Sequence, residues 1–467
     1  MRRRIPFLLL AAAWGCAGPG PEPLDPARSE GEFRVRTLED PGLRRFAESN
    51  GRAGFPSASW DLDSLTLAAF YYHPDLDVAR ARLGQARAGA VTAGMWPNPV
   101  AGLHLEKVTN VEPGLKPWTY GFDLSLPLET LWKRGHRIEE AEKLDEAARL
   151  ALAETAWRVR SRVRAALAEH LFALRELDLR RLEEAARGEV VASLERKLAL
   201  GDIFRLDVDA AQGDLFSSRS AIHAAEGRVA ETRAALAGAV GLPHSALRGK
   251  AFAWPGLDAP PPEESLGLDP ARVPGLLNRL DVRGLLAEYL AAEAALQREV
   301  AGRYPDLSLG PGYLYDQGQK KFTFGLSVTL PILNRNEGPI AEADARRKEI
   351  AARFHALQAS VIGETETALE RYRSAIAELG EAGRTLATLE KREKATQRAI
   401  ELKELDRTAL TGLRLEKLLA SQSRLASLRK AEEALGALED SVQRPLGSRH
   451  GPPDAPLSSP REEETKP

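Results

Sequence analysis

The chain has 467 residues, 28% of them charged, and its 65 Lys and Arg nearly balance 67 Asp and Glu for a formal net charge of −2. No basic excess is available to neutralise phosphates, which argues against nucleic acid as a partner. One cysteine and two methionines leave no intramolecular disulfide and no basis for soft-metal ligation.

Residues 1–15 combine Arg2, Arg3 and Arg4 with a short apolar run and small residues, the layout of a secretory signal. The run is too short to span a bilayer, which takes about 20 apolar residues. Ala13-Trp-Gly-Cys16 resembles a bacterial lipoprotein processing site, which implies acylation of Cys16 as the mature N-terminus. Ala17 after the cysteine then favours the outer membrane. A plain signal peptide cut nearby stays open as the alternative. One acyl chain anchors only marginally, so firm membrane residence needs more than Cys16. Residues 16–60, rich in Pro, Gly and charge without periodicity, read as an extended leader.

A first repeat, 61–250, opens with two helices divided at His73-Pro74 and stopped by the prolines of Trp96-Pro-Asn-Pro99. Strands are expected at 100–107 and 118–126, then sequence free of proline up to Pro243, rich in the residues of long helices. A Pro-rich linker, 251–273, leads to a second repeat, 274–445. Its helix over 276–303 precedes strands at 306–315 and 321–330, with Asp316 to Lys320 as the turn, and another long proline-free stretch. The tail, 446–467, has the composition of a disordered segment.

The two repeats share a sentence. Gly121-Phe-Asp-Leu-Ser-Leu-Pro-Leu128 and Gly325-Leu-Ser-Val-Thr-Leu-Pro-Ile332 alternate apolar with small or polar residues, the period of a strand with unlike faces. Strands of about 9–11 residues match a tilted bilayer crossing. Trp118, Tyr120, Tyr313 and Tyr315 lie toward the hairpin loops, where an aromatic girdle would sit. A soluble two-faced sheet packed on helices carries the same alternation. Four strands cannot close a pore, so a barrel requires several chains.

The long helices predict association as well. Leu369, Tyr372, Ile376, Leu379, Gly383 and Leu386 form one seam, and Ala368, Ala375, Ala382 and Leu389 a second one residue away, so two flanks can bury apolar surface. Breaks near Gly201-Asp202 and Lys403-Glu404 predict two helical hairpin tips. No metalloprotease motif, phosphate-cradling loop or nucleophile elbow is present. His104 and Glu106 share one strand face, a pair without a third ligand for a metal. No cofactor is implied.

Together the Trp96-Pro-Asn-Pro99 segment, the paired Leu126-Pro-Leu128 and Leu330-Pro-Ile332 strand-to-helix runs, and Leu333-Asn-Arg-Asn-Glu-Gly338 resemble the TolC-like outer-membrane efflux family, and within it the heavy-metal subgroup. Leu333 stands where that subgroup commonly has phenylalanine. The resemblance implies a mainly α protein with a small β part. Duplicated helical hairpins would form a trimeric periplasmic α-barrel, and four strands per protomer a 12-stranded outer-membrane β-barrel.

It implies partners too: a homotrimer in outer-membrane lipid, a periplasmic adaptor and an inner-membrane RND-type pump. The adaptor would meet the periplasmic tips, at Gly201, Asp202, Ile203, Phe204, Arg205, Leu206 and Asp207 in repeat one and Lys403, Glu404, Leu405 and Asp406 in repeat two. Asp202, Asp207 and Asp209 could also ring the pore mouth in a trimer and favour cations, or be solvated residues on a helix end. Two readings remain: a passive exit duct of a tripartite efflux system, with heavy-metal cations as one candidate cargo, or a lipid-tethered periplasmic coiled-coil scaffold. The first needs both hairpins in a membrane and the second leaves them soluble. An enzyme is a distant third.

Overall fold

The computed structural model describes residues 20–52, 55, 59–128, 131–267, 278–402 and 407–446. The signal segment with Cys16, residues 268–273 of the linker, the second tip at Lys403, Glu404, Leu405 and Asp406, and the tail beyond Leu446 lie outside the described residues.

Each repeat runs helix, hairpin, long helix, half-length helix. In the first these are α4 (Pro74–Gly94), β1 (Val100–Lys107), β2 (Trp118–Leu128), α5 (Leu131–Ala199) and α6 (Arg205–Val240). In the second they are α7 (Leu280–Ala301), β3 (Leu307–Asp316), β4 (Gln319–Val328), α8 (Glu337–Glu401) and α9 (Arg407–Val442). The long helices have 69 and 65 residues and both returning helices have 36. At 1.5 Å per residue α5 and α8 are each roughly 100 Å long. The expected boundaries shift by a few residues. Gln317 and Gly318 both take positive φ, 46° and 115°, the backbone of a two-residue hairpin turn, so the turn is tighter than expected and β4 starts at Gln319.

The leader differs from the extended reading. Asp25 and Asp40 cap two short helices, α1 (Pro26–Arg34) and α2 (Pro41–Ser49), each with proline in its first turn. Leu43, Phe46 and Ala47 of α2 enter the main core, because α3 (Leu62–Tyr72) is apolar all round and must be covered on every side. Around α3 gather Leu152, Val159, Val163 and Leu167 of α5 and Leu236, Ala237 and Val240 of α6. Arg36 ties the leader to this body, donating to the carbonyls of Tyr72 and Gly241, both at 3.0 Å. The linker also packs: Phe252 bridges Trp60, and Leu257 and Leu266 are buried.

On α8 the two expected seams merge into one stripe within the chain. Leu369, Tyr372 and Ile376 of the first seam and Ala368 of the second converge on Leu435, Leu438 and Val442 of α9 and on Leu266 of the linker. The Tyr372 hydroxyl donates to the Pro261 carbonyl.

Charge is buried where α5 crosses α9. Arg164 reaches Glu432 at 3.2 Å and Glu439 at 3.1 Å, while Arg160 lies 3.6 Å from Glu439, all four side chains being almost wholly enclosed. Gly436 leaves the room that the Arg164 guanidinium occupies, since a Cβ there would collide with it. Burial pushes the Glu432 carboxyl up to about 7, against the pull of Arg164 and with the push of Glu439 and Asp258.

Candidate membrane sheet and helical tips

The four strands form one antiparallel sheet in the order β1-β2-β3-β4. Its register sorts the side chains into two unlike surfaces. One face carries Leu103 and Leu105 of β1, Trp118, Tyr120, Phe122, Leu124 and Leu126 of β2, Leu307, Leu309, Tyr313 and Tyr315 of β3, and Phe322, Phe324, Leu326 and Val328 of β4. The other carries His104, Glu106, Thr119, Asp123, Ser125, Ser308, Asp316, Lys321, Thr323 and Ser327, with Gly102, Gly121, Gly310, Gly312 and Gly325 between them.

The apolar face is bare: Leu103 is 86% exposed and Phe322 88%. A soluble domain buries such a face against another layer. On it Tyr120 stacks on Tyr315 with centroids 4.7 Å apart, and Tyr313 meets Phe322 edge-on at 5.5 Å.

Small residues on the polar face serve the closeness of the strands. A Cβ at Gly121 would sit 2.5 Å from the Tyr313 carbonyl oxygen, and one at Gly102 2.5 Å from the Asp123 carboxylate. The space over Gly102 lets Asp123 reach His104, whose Nε2 lies 2.7 Å away. His104 thus has a cross-strand partner in Asp123, which was not anticipated beside Glu106. Among the described residues no group of three candidate metal ligands exists.

Within one chain β1 and β4 each leave an edge unpaired, and they run in opposite directions. Adding β1 of one copy to β4 of another would continue the antiparallel pattern. Barrel closure is the one arrangement that removes edges altogether. Among the described residues no helix is long and apolar enough to cross a membrane.

The sheet is fixed to the helices at its base. Asn336 takes φ 61°, its backbone N–H accepted by the Asn334 side chain at 2.9 Å, and its amide donates to the Glu299 carbonyl at 2.7 Å. A Cβ on Gly302 would strike that amide at 2.6 Å. The Asn-Arg-Asn run is therefore the corner joining β4 to α8 and clamping it on the C-terminus of α7. Lys133 supports the same corner from α5, donating to the Tyr304 carbonyl and the Asp306 carboxylate at 2.8 Å each.

At the far end of the helices, Gly201 at φ 76° turns the chain between α5 and α6. Ile203 is half-buried, whereas Gly201, Asp202, Phe204, Arg205, Leu206, Asp207 and Asp209 are exposed, Phe204 by 84%. Asp207 accepts the Phe204 N–H at 3.1 Å, capping α6, and Arg205 lies 3.0 Å from the Asp209 carboxylate. Asp202 makes no such side-chain bond among those described. Exposed Leu200, Phe204 and Leu206 give the first tip an apolar surface with Asp202, Asp207 and Asp209 beside it, and Leu402 is exposed at the end of α8.

Comparison with known proteins follows the same lines. Residues 69–242 match the family model of the outer membrane efflux protein. The chain is 28% identical over 291 residues to the cobalt-zinc-cadmium resistance protein CzcC of Cupriavidus metallidurans, a match spanning 60% of this chain and 65% of that relative's length. Among solved structures it is similar to CusC, with a TM-score of 0.64 and 18% identity over 84% of this chain and 94% of that one. It is similar also to the outer membrane protein VceC of Vibrio cholerae, with a TM-score of 0.65 and 18% identity over 82% and 95% of the two chains. At that identity the likeness is one of fold: a mostly helical body carrying a small four-stranded sheet.

Proposed function

We propose, from the match of residues 69–242 to the outer membrane efflux protein family and the likeness of the whole fold to CusC, that three copies close their sheets into a 12-stranded barrel in the outer membrane and their helices into a periplasmic tunnel. The assembly is a passive exit duct of a tripartite efflux system. Its tips, Gly201 to Asp207 and Lys403 to Asp406, receive a periplasmic adaptor, and an inner-membrane pump of the RND type supplies the cargo. Asp202, with Asp207 and Asp209 beside it, gives the periplasmic mouth a negative potential that favours cations. The name of the relative CzcC supports divalent metal cations as the cargo class. An acyl chain on Cys16 adds a second membrane attachment.

The observation that carries this reading is the division of one sheet into a bare apolar face and a glycine-rich polar face, with both edges open. Lipid solvates the first, water fills the space behind the second, and neighbouring copies satisfy the edges. Cysteines at the adjacent positions Leu326 and Ser327, in a Cys16→Ser chain, test it in reconstituted vesicles. Ser327→Cys should react with a membrane-impermeant maleimide and Leu326→Cys only after denaturation. Equal reactivity of the two would favour a soluble sheet and the scaffold reading.

A further inference from the structure

The hairpin end of the sheet sorts its charges by face. Lys107 and Lys320 fall on the apolar face, in register with Trp118 and Tyr315. Lys116, in the loop between β1 and β2, turns to the same side: its Nζ is 6.0 Å from the centre of the Tyr315 ring. The Lys107 Nζ stands 5.6 Å from that of Trp118. The carboxylates at this end lie elsewhere. Glu106 and Asp316 are on the polar face, where Asp316 takes Lys321 at 2.7 Å and Thr119 at 3.1 Å. Glu112 sits in the loop. Among the described residues none of Lys107, Lys116 and Lys320 has a carboxylate within ion-pair distance, so a row of uncompensated positive charge borders the apolar surface.

We propose that Lys107, Lys116 and Lys320, with Trp118 and Tyr315, form a binding surface for anionic, phosphate-bearing lipid headgroups. The inference rests on the membrane reading above and adds a partner to it. An ammonium at the edge of a lipid-facing wall has its stem in the acyl region and its charge at headgroup depth, where a phosphate is the complementary group. The aromatic rings hold the same depth and orient the ammonium groups beside them. Lys107 ends β1 and Lys320 begins β4, the two edge strands. Closing the sheet with further copies therefore brings one copy's Lys320 to the same rim as the next copy's Lys107. Two cations at such a seam repel unless an anion lies between them, so the seams between copies are the preferred positions for the headgroup.

The test is lipid selection by the full chain. The protein is reconstituted into vesicles of equimolar phosphatidylglycerol and phosphatidylcholine, floated to confirm insertion, and extracted with its tightly held lipid for quantification. Wild type should hold phosphatidylglycerol over phosphatidylcholine by roughly fivefold or more, the scale of one basic residue at an anionic surface. Replacing Lys107, Lys116 and Lys320 together by Gln should return the ratio to that of the bulk, and replacing them by Arg should preserve it. Lys321→Gln, on the polar face, should leave it as in wild type. An inserted Gln triple variant that still enriches phosphatidylglycerol, or a Lys321→Gln variant that loses it, overturns the surface while the membrane reading stands. Protein that never floats with the vesicles overturns both.

Discussion

Asn336 and Glu299 hold the four-stranded sheet to the helical body: the amide of Asn336, on a residue with φ 61°, donates to the Glu299 backbone carbonyl at 2.7 Å and to its carboxylate at 3.0 Å. A left-handed residue other than glycine is tolerated best in asparagine, and here its side chain also covers a carbonyl at the end of α7. Asn336→Ala should destabilise the chain by about 2–3 kcal/mol, joining backbone strain to lost hydrogen bonds. Asn336→Gly, which removes only the bonds, should cost about 1–2 kcal/mol. Urea titration followed by circular dichroism separates the two, and equal losses would contradict a conformational role.

Gly436 should be as intolerant. A methyl group there pushes the Arg164 guanidinium off Glu432 and Glu439 and strands enclosed charge. Gly436→Ala, ordinarily favourable inside a helix, should instead destabilise by roughly 3–5 kcal/mol, the scale for breaking a buried pair. Adding Arg164→Met to Gly436→Ala should recover part of the loss, and a purely additive double variant in a thermal-melt cycle would refute the coupling.

The same cluster sets a pH dependence. Burial raises the Glu432 carboxyl to about 7 from an ordinary 4.5. A carboxyl with a raised folded pKa contributes its full share when protonated in both states, below about 4.5, and loses it as pH rises through 7. Glu432 should therefore cost the fold roughly 1–3 kcal/mol between pH 5 and pH 8. Glu432→Gln should flatten that portion of the stability profile. A wild-type profile that rises over the interval and is unchanged in the variant would show the sign to be wrong.

Phe204, the aromatic residue of the first tip, is 84% exposed and uncovered by any of the described residues. A photo-reactive phenylalanine at position 204 should yield an adduct with a periplasmic protein in intact cells, and one at Phe33 on α1 should not. Phe204→Ser with Leu206→Ser should leave the melting temperature within about 2 °C of wild type, as expected for exposed positions. No adduct at 204 in correctly localised protein would remove the tip from the account.

Much of this architecture is written locally. The repeat of Gly121 to Leu128 in Gly325 to Ile332, the stop at Trp96-Pro-Asn-Pro99 and the break at Gly201 each place an element, because strand alternation, proline and a left-handed glycine act within a few residues. β1 has the expected bounds, and α8 ends at Glu401, two residues before the break expected at Lys403. What was hidden depends on distant partners. The helices α1 and α2 carry visible Asp-Pro starts, but a nine-residue helix is marginal alone; α2 is held by packing, Phe46 on Tyr71 with ring centroids 5.6 Å apart, whereas α1 buries no residue. Arg164 and Glu432 lie 268 residues apart, so neither announces the other. Asn336 stood out as a motif, and its work became apparent only with Glu299 of α7 beside it. The sorting of Lys107 and Lys320 from Lys321 needed the strand register.

The central claim, a multi-copy barrel with a water-filled interior, is tested most directly by single-channel recording of purified protein in planar bilayers, with Leu124→Asp and Leu326→Asp together as the control that should not insert. Steady unitary currents from wild type, absent from the control, are the predicted result. A folded wild-type protein that inserts into the bilayer and passes no current under any applied voltage would contradict it.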